Sequence, residues 1–351
     1  MSRYTGDVSA TRRIRCGRQF WLVGLVIAAM PCIADDVPPL FSEANVITAE
    51  LAGPFHALLK DGEERGKHAM TLRVGDRALD VEVRVRGKSR ARICRFPPLR
   101  VYFTGDTAGT PFEGQDSLKL VTHCFNNDRG ERNVIEEYAA YRVLNTLTEA
   151  SYRTRGLAMT YTDTEDWLPK GARRHFAFFL ETRGQLAKRL DADKANVEGV
   201  RLSLLDTQQA AIVFVFQYLI GNTDWSLAKS HLDDACCHNL DLLLGENGLI
   251  AVPYDFDQAG MVNASYAKPD PSLHLRRVTI RRYRGYCIDP AAVRSALLLV
   301  RDRRGAVTAA LREIPIATDR HIEDILDYLE PFFREADDAD DLLEDFAKRC
   351  L

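Results

Sequence analysis

The densest run of side chains able to do chemistry lies between residues 221 and 257. Gly221-Asn222-Thr223-Asp224-Trp225-Ser226 closes an apolar helical stretch and His238-Asn239 opens a strand. Val252-Pro253-Tyr254-Asp255-Phe256-Asp257 ends the next strand. A carboxylate just after a buried helix, an amide at a strand start and two acids at a strand end can meet at one mouth. Phosphoryl transfer from a nucleotide asks for that set: hard oxygen ligands for Mg²⁺ and a separate carboxylate for the attacking hydroxyl's proton. Asn and Asp also favour turns and caps. Taken singly, each residue therefore has a structural reading; the ordered set after an apolar helix points to chemistry.

Other constellations are weaker. Asp233-Asp234-Ala235-Cys236-Cys237-His238 looks like a metal cluster, but adjacent cysteines chelate one ion poorly. His123-Cys124 would be a nucleophilic pair, yet neighbours on a strand point to opposite faces. There is no CxxC. A metal-dependent hydrolase could use Asp224, Asp255 and Asp257 around an ion. Such two-metal sites usually recruit histidines, and near these motifs there are only His231 and His238.

The order GNTDWS, HN, PYDFD resembles the CotH-type spore-coat kinase family, whose fold is an atypical protein kinase. More distantly it is similar to HipA-like and phosphoinositide-kinase-like catalytic loops. The resemblance covers roughly residues 80–290 and implies ATP and Mg²⁺ (or Mn²⁺) as cofactors. It implies Asp224 as catalytic base, Asn239 and Asp255 as metal ligands and Asp257 as a second acid ligand. A kinase also needs a strand lysine on the phosphates, oriented by a helix glutamate. Lys119 in SLKLV fits, just before a helix carrying Glu136 and Glu137. Glu137 is preferred, although periodicity does not decide between the two. Arg86-Gly87-Lys88-Ser89-Arg90 reads either as a phosphate-touching loop or as an exposed basic hairpin. FAFFLE, ending at Glu181, would sit at an adenine-binding hinge, and is also what any buried strand looks like. There is no GxGxxG, HRD or DFG, a long insertion separates Asp224 from Asn239, and Asp257 stands where a glycine would follow Phe256.

Positioning these residues takes a defined set of elements. Residues 44–52, 69–75, 78–87, 99–103 and 117–122 are β-rich, with turns at Asp61-Gly62 and Gly75-Asp76. A helix is expected over 131–147, with Val134, Tyr138 and Tyr141 on one side and Leu144 and Leu147 on a second. Strands near 152–161 and 174–181 follow, then a short helix over 183–190 and a buried one over 205–220. Strands near 240–244 and 249–254 come next, and the chain is mostly helical from about 289. The acidic stretch EADDADDLLEDFAKRC reads as an amphipathic helix with a solvated face. The expected fold class is α+β: a two-lobed atypical protein-kinase-like fold, with a β-rich N-terminal lobe over 35–181 containing one long helix. A mainly helical lobe over 182–351 would carry the catalytic and metal loops.

Residues 1–34 stand apart from that body. Arg12, Arg13, Arg15 and Arg18 precede an apolar run from Phe20 to Met30, and Cys32-Ile33-Ala34 ends in small residues before Asp35-Asp36. This is the pattern of a secretory signal peptide, so the chain is expected to be exported, periplasmic or secreted. Without this segment 42 basic and 49 acidic side chains remain, a net charge of −7. That balance speaks against nucleic acid as a partner. No stretch approaches the ~20 apolar residues of a membrane span, so no anchor remains after cleavage. Six cysteines remain (94, 124, 236, 237, 287 and 350), an even number that invites disulfides in an oxidising compartment, with connectivity open. Five arginines in 276–286 could grip phosphate, an acidic protein or a polyanionic envelope component; a solvated or internally paired surface is the plainer reading. The expected activity is transfer of the ATP γ-phosphoryl group to Ser or Thr of an envelope or secreted protein. A pseudokinase scaffold and an adenylyl-transferring enzyme of the same fold are the alternatives.

Overall fold

A computed structural model describes residues 38–62, 64–168, 173–228 and 236–351. The expected signal peptide and the Asp233-Asp234 pair lie outside the described residues.

The strands of the first half alternate apolar and polar side chains, and that alternation wraps one face around a common core. β1 (Ile47–Gly53), β2 (His68–Val74), β3 (Arg77–Val85), β4 (Leu99–Phe103), β5 (Ser117–Val121), β6 (Thr154–Asp163) and β7 (Arg173–Leu180) form a closed barrel in the order β1-β2-β3-β4-β5-β7-β6. Where a sheet was expected, β1 closes it by pairing antiparallel with β2 and parallel with β6. Leu72, Val81, Val83, Leu99, Val101, Leu118, Leu120, Leu157 and Phe179 fill the interior. Two short helices escaped the periodicity argument: α1 (Phe55–Lys60) and α2 (Ser89–Ile93), the latter inside the RGKSR segment.

α3 (Asp128–Leu147) leaves the barrel after β5, capped by the Asn127 side chain, which accepts from Gly130 N at 2.8 Å. Gly130 is required there, because a Cβ would lie 2.2 Å from the Phe125 carbonyl oxygen. The helix is buried on more than one side. Tyr138 meets Phe176 and Phe178, the outward residues of β7, while Tyr141 meets Phe256. These side chains belong to a second hydrophobic core shared with the later helices. α4 (Arg183–Arg189) starts with a Thr182–Gln185 capping box. α5 (Thr207–Leu219) is apolar nearly all round and buried. β8 (Asp193–Lys194), β9 (Leu240–Gly245) and β10 (Gly248–Pro253) make a small sheet, and α6 (Pro290–Asp302), α7 (Arg304–Arg312), α8 (Asp319–Ala336) and α9 (Ala339–Ala347) complete the chain. α9 is acidic outside, yet it buries Leu342 and Phe346, and Phe346 stacks on Tyr283 at 3.8 Å.

All six cysteines among the described residues pair: Cys94 with Cys124, Cys236 with Cys237 and Cys287 with Cys350. Cys124 is thus bonded and is not a nucleophile. This pairing is compatible with an oxidising compartment. Among the described residues no helix is long and apolar enough to cross a membrane.

Candidate functional site

The β9–β10 hairpin does most of the positioning. Its register places Leu240 opposite Pro253, so the residues just outside it, Asn239 and Tyr254-Asp255, meet at its open end. Tyr254 N donates to the Asn239 carbonyl at 3.1 Å. Asn239 (φ 51°) and Asp255 (φ 63°) both hold left-handed backbone, which Asn and Asp tolerate best among residues with a side chain. Such strain tends to collect at working sites. The Tyr141 hydroxyl accepts from Asp255 N at 2.9 Å, fixing this turn against α3.

Asp224 reaches the same end by a different route. α5 stops at Gly221, where φ is +65° and a Cβ would strike the Tyr328 hydroxyl. Asn222 folds back, its backbone N–H bonding the Gln217 carbonyl and its Oδ1 accepting from Asp224 N at 3.0 Å. Ser226 and His238 then exchange backbone hydrogen bonds. The Asp224 carboxylate contacts His238 Nε2 at 3.1 Å and accepts from Asn239 Nδ2 at 3.1 Å and Gln258 Nε2 at 2.8 Å. It is therefore held in one orientation.

Arg90, from α2, enters this cluster. Its side chain is 8% exposed, and its three nitrogens face three carboxylates. Nη1 donates to Glu137 Oε2 at 3.1 Å, Nη2 pairs with Asp255 Oδ1, and Nε lies 3.4 Å from Asp257 Oδ2. Burial opposes the guanidinium's charge, but Asp255, Asp257 and Glu137 together outweigh it and raise its pKa well above the ordinary value. One cation serves three acids, so the acids remain short of positive charge. Burial pushes Glu137 up to about 8, with Asp255 and Asp257 adding to what Arg90 offsets. Burial likewise lifts Asp257 to about 6, despite Arg90 and the Tyr266 hydroxyl that donates to it.

A row of cations faces this cluster. Strand register sets Arg84 beside Arg100 and Arg100 beside Lys119, all on the outer surface of the barrel. Arg84 donates to the Tyr102 hydroxyl and Arg100 to Ser117 Oγ. The Lys119 ammonium sits 4.8 Å from the centre of the Tyr254 ring. Among the described residues no carboxylate lies within 4.0 Å of Arg84, Arg86, Arg100 or Lys119. Burial lowers Lys119 to about 8, helped by Arg86 and Arg100. Like charges side by side on a sheet are unfavourable, and such a row suits a polyanion. The cations, Asp224, Asp255 and Asp257 line one cleft of about 650 Å³, together with Gly87, Lys88, Cys236, Cys237, His238, Asp241 and Gln258, while Glu137 lies buried behind it. That volume suits a nucleotide-sized ligand.

The six residues singled out from the sequence therefore divide. Asp224, Asn239, Asp255 and Asp257 converge, and Lys119 lines the same cleft. Glu137 faces the cluster, whereas Glu136 turns to Asn133 and Arg132. The expected Lys119–Glu137 pair does not form: Glu137 takes Arg90 instead, because α2 delivers a longer, forked cation to the carboxylate. Glu181 is spent on structure, bonded to Arg189 and to Arg153 N. Arg281 and Arg284, from the arginine-rich segment, bond the carbonyls of Leu219 and Thr223 and brace the Asp224 loop. Arg84, Arg100 and Gln258 escaped the sequence reading; for the first two the signal was present, since alternation along β3, β4 and β5 puts them on one face with Lys119.

Asp255 and Asp257 offer hard oxygens, and Asn239 turns its amide nitrogen to Asp224, leaving its oxygen as a ligand atom. Mg²⁺ is commonly held by one or two carboxylates plus phosphate oxygens, so the donor set fits. Arg90 stands against both acids as a cation already in place. Among the described residues, no three His, Cys, Asp or Glu side chains are arranged to hold a metal by themselves.

No protein-family model and no curated protein matches the chain. Among solved structures it is similar to a proinflammatory kinase of Helicobacter pylori, CtkA, at 11% identity and a TM-score of 0.39, over 71% of this chain and 92% of that one. A likeness of that size carries no weight for function.

Proposed function

We propose that this protein is an exported, kinase-like phosphotransferase that takes the γ-phosphoryl group of ATP and passes it to a Ser or Thr hydroxyl of an envelope or secreted protein. One observation carries the reading: a row of cations with no carboxylate in ion-pair distance among the described residues and a cluster of hard oxygen ligands line the same cleft, with a third acid, Asp224, held in fixed orientation beside them. Lys119, Arg86 and Arg100 would bind the phosphates. Asp255, Asp257 and the Asn239 amide oxygen would hold Mg²⁺ or Mn²⁺, which supplies neutralisation of phosphate charge when bound. Asp224 would orient the acceptor hydroxyl and receive its proton as the oxygen bonds the γ-phosphorus and the bond to the bridging oxygen breaks, releasing ADP. Export is supported by the signal-peptide pattern and the three disulfides. The acidic composition speaks against nucleic acid as the acceptor.

The test is thermal melting of the chain with ATP and Mg²⁺ or Mn²⁺, wild type against Asp255→Ala, followed by mass spectrometry of the same samples with candidate acceptors. The expected result is metal-dependent stabilisation by ATP in the wild type, lost in the variant, with a phosphoryl mass added to the acceptor. An adenylyl mass would identify the alternative transfer. A wild type that no nucleotide stabilises would sink the kinase reading.

A further inference from the structure

We propose that Arg90 keeps free divalent cations out of the acidic cluster, so that a metal enters this site only together with a phosphate-bearing ligand. The inference rests on the nucleotide reading above and assigns Arg90 a positioning role that the sequence pattern does not. Its three nitrogens stand against Glu137, Asp255 and Asp257, two of which supply the oxygens a metal would need. Guanidinium and metal therefore compete for the same ligands.

An arginine cannot step aside by losing its proton, and in a buried cluster it leaves one set of anions only for another. A phosphate is such a set, since it accepts two parallel hydrogen bonds from a guanidinium. The cation row of Arg84, Arg100 and Lys119 borders the same cleft, so a polyphosphate drawn there would arrive within reach of Arg90. The backbone beneath Arg90 is tethered: α2 ends at Cys94, which is bonded to Cys124. The side chain can thus swing between the acids and an incoming phosphate while its helix stays in place. Without Arg90, Asp255 and Asp257 would lose the guanidinium that occupies their oxygens, and those oxygens would be open to a divalent ion.

Mn²⁺ is the probe. It is titrated into the full chain as wild type, Arg90→Gln and Arg90→Lys, with and without a non-hydrolysable ATP analogue, and free Mn²⁺ is read by electron paramagnetic resonance. Wild type should bind Mn²⁺ only with the analogue. Arg90→Gln should bind Mn²⁺ alone at least tenfold more tightly than wild type, and Arg90→Lys should stay near wild type. A gain of one tight Mn²⁺ per chain in a variant that still melts cooperatively separates a guarding role from a merely structural one. Equal binding of Mn²⁺ alone by wild type and Arg90→Gln overturns the proposal. Should Arg90→Gln fail to fold, wild-type melting decides: a rise with Mn²⁺ alone overturns it, and a rise only with Mn²⁺ and analogue together supports it. If the analogue binds under no condition, the nucleotide reading falls separately, while the Arg90→Gln titration still judges the guard.

Discussion

The two charged clusters of the cleft solve the same problem in opposite ways. Glu137, Asp255 and Asp257 crowd three acids around one point, and the chain supplies its own counter-ion, Arg90. Arg84, Arg100 and Lys119 crowd three cations along adjacent strands, and the chain sets no carboxylate against them within ion-pair distance among the described residues. The acidic side is internally neutralised as far as one guanidinium can manage. Among the described residues the basic side meets hydroxyls and an aromatic ring, with Asp241 and Asp255 acting on Lys119 only from beyond ion-pair distance. A structural role would favour pairing the two clusters with each other; keeping them apart keeps the basic side open to a ligand.

Removing Arg90 should have the largest effect. Arg90→Ala should cost about 3–5 kcal/mol, the penalty for leaving buried charge without its partner, measured by urea unfolding near pH 8. The loss should shrink at pH 5, where Glu137 and Asp257 hold protons of their own. An unchanged unfolding midpoint would mean that the three acids do not lean on this guanidinium.

On the basic side the direction reverses. Lys119→Met should weaken ATP binding by about tenfold or more, roughly 1.4 kcal/mol. It should also stabilise the ligand-free protein by about 1 kcal/mol, because it relieves a row of like charges. Calorimetric titration and melting on the same sample test both signs. Joint loss of affinity and stability would make Lys119 an ordinary packing residue.

The smallest effect is the pH slope of stability. Glu137 has its folded pKa raised from 4.5 to about 8, so between those values the folded chain binds more protons than the unfolded one. Its contribution is therefore full below about 4.5 and is lost as pH rises towards 8. Glu137→Gln should flatten that slope. Glu136, raised to about 7, acts in the same direction over a narrower window. Glu136→Gln should change the slope and leave nucleotide binding alone, because its partners are Asn133 and Arg132.

Much of this fold could be read from local pattern. β-rich composition with partial alternation located the first five barrel strands, apolar runs the last two, and the apolar run of α5 and the helical period of α3 were equally plain. What escaped depends on distance along the chain. Barrel closure rests on β1 pairing in parallel with β6, more than a hundred residues later, and no local pattern encodes such a pairing. The Arg90 partners lie 47 and 165 residues away, at Glu137 and Asp255. The choice between Glu136 and Glu137 was invisible to periodicity because α3 is buried on more than one side, so neither position stood out as the solvent face. The acids of the hairpin end were legible because turn residues cluster where strands stop. The disulfide partners were not, since spacing does not encode contact.

The closure of the barrel also limits how another protein can be recognised. A sheet with a free edge can accept a visiting segment strand by strand, reading mainly its backbone, and the same edge invites unwanted self-association. In this barrel every strand already has a neighbour on both sides. The barrel therefore offers a visitor no strand whose whole edge is free. Whatever docks there has to be chosen by side chains and connecting loops, and its selectivity would follow charge and shape more than extended conformation.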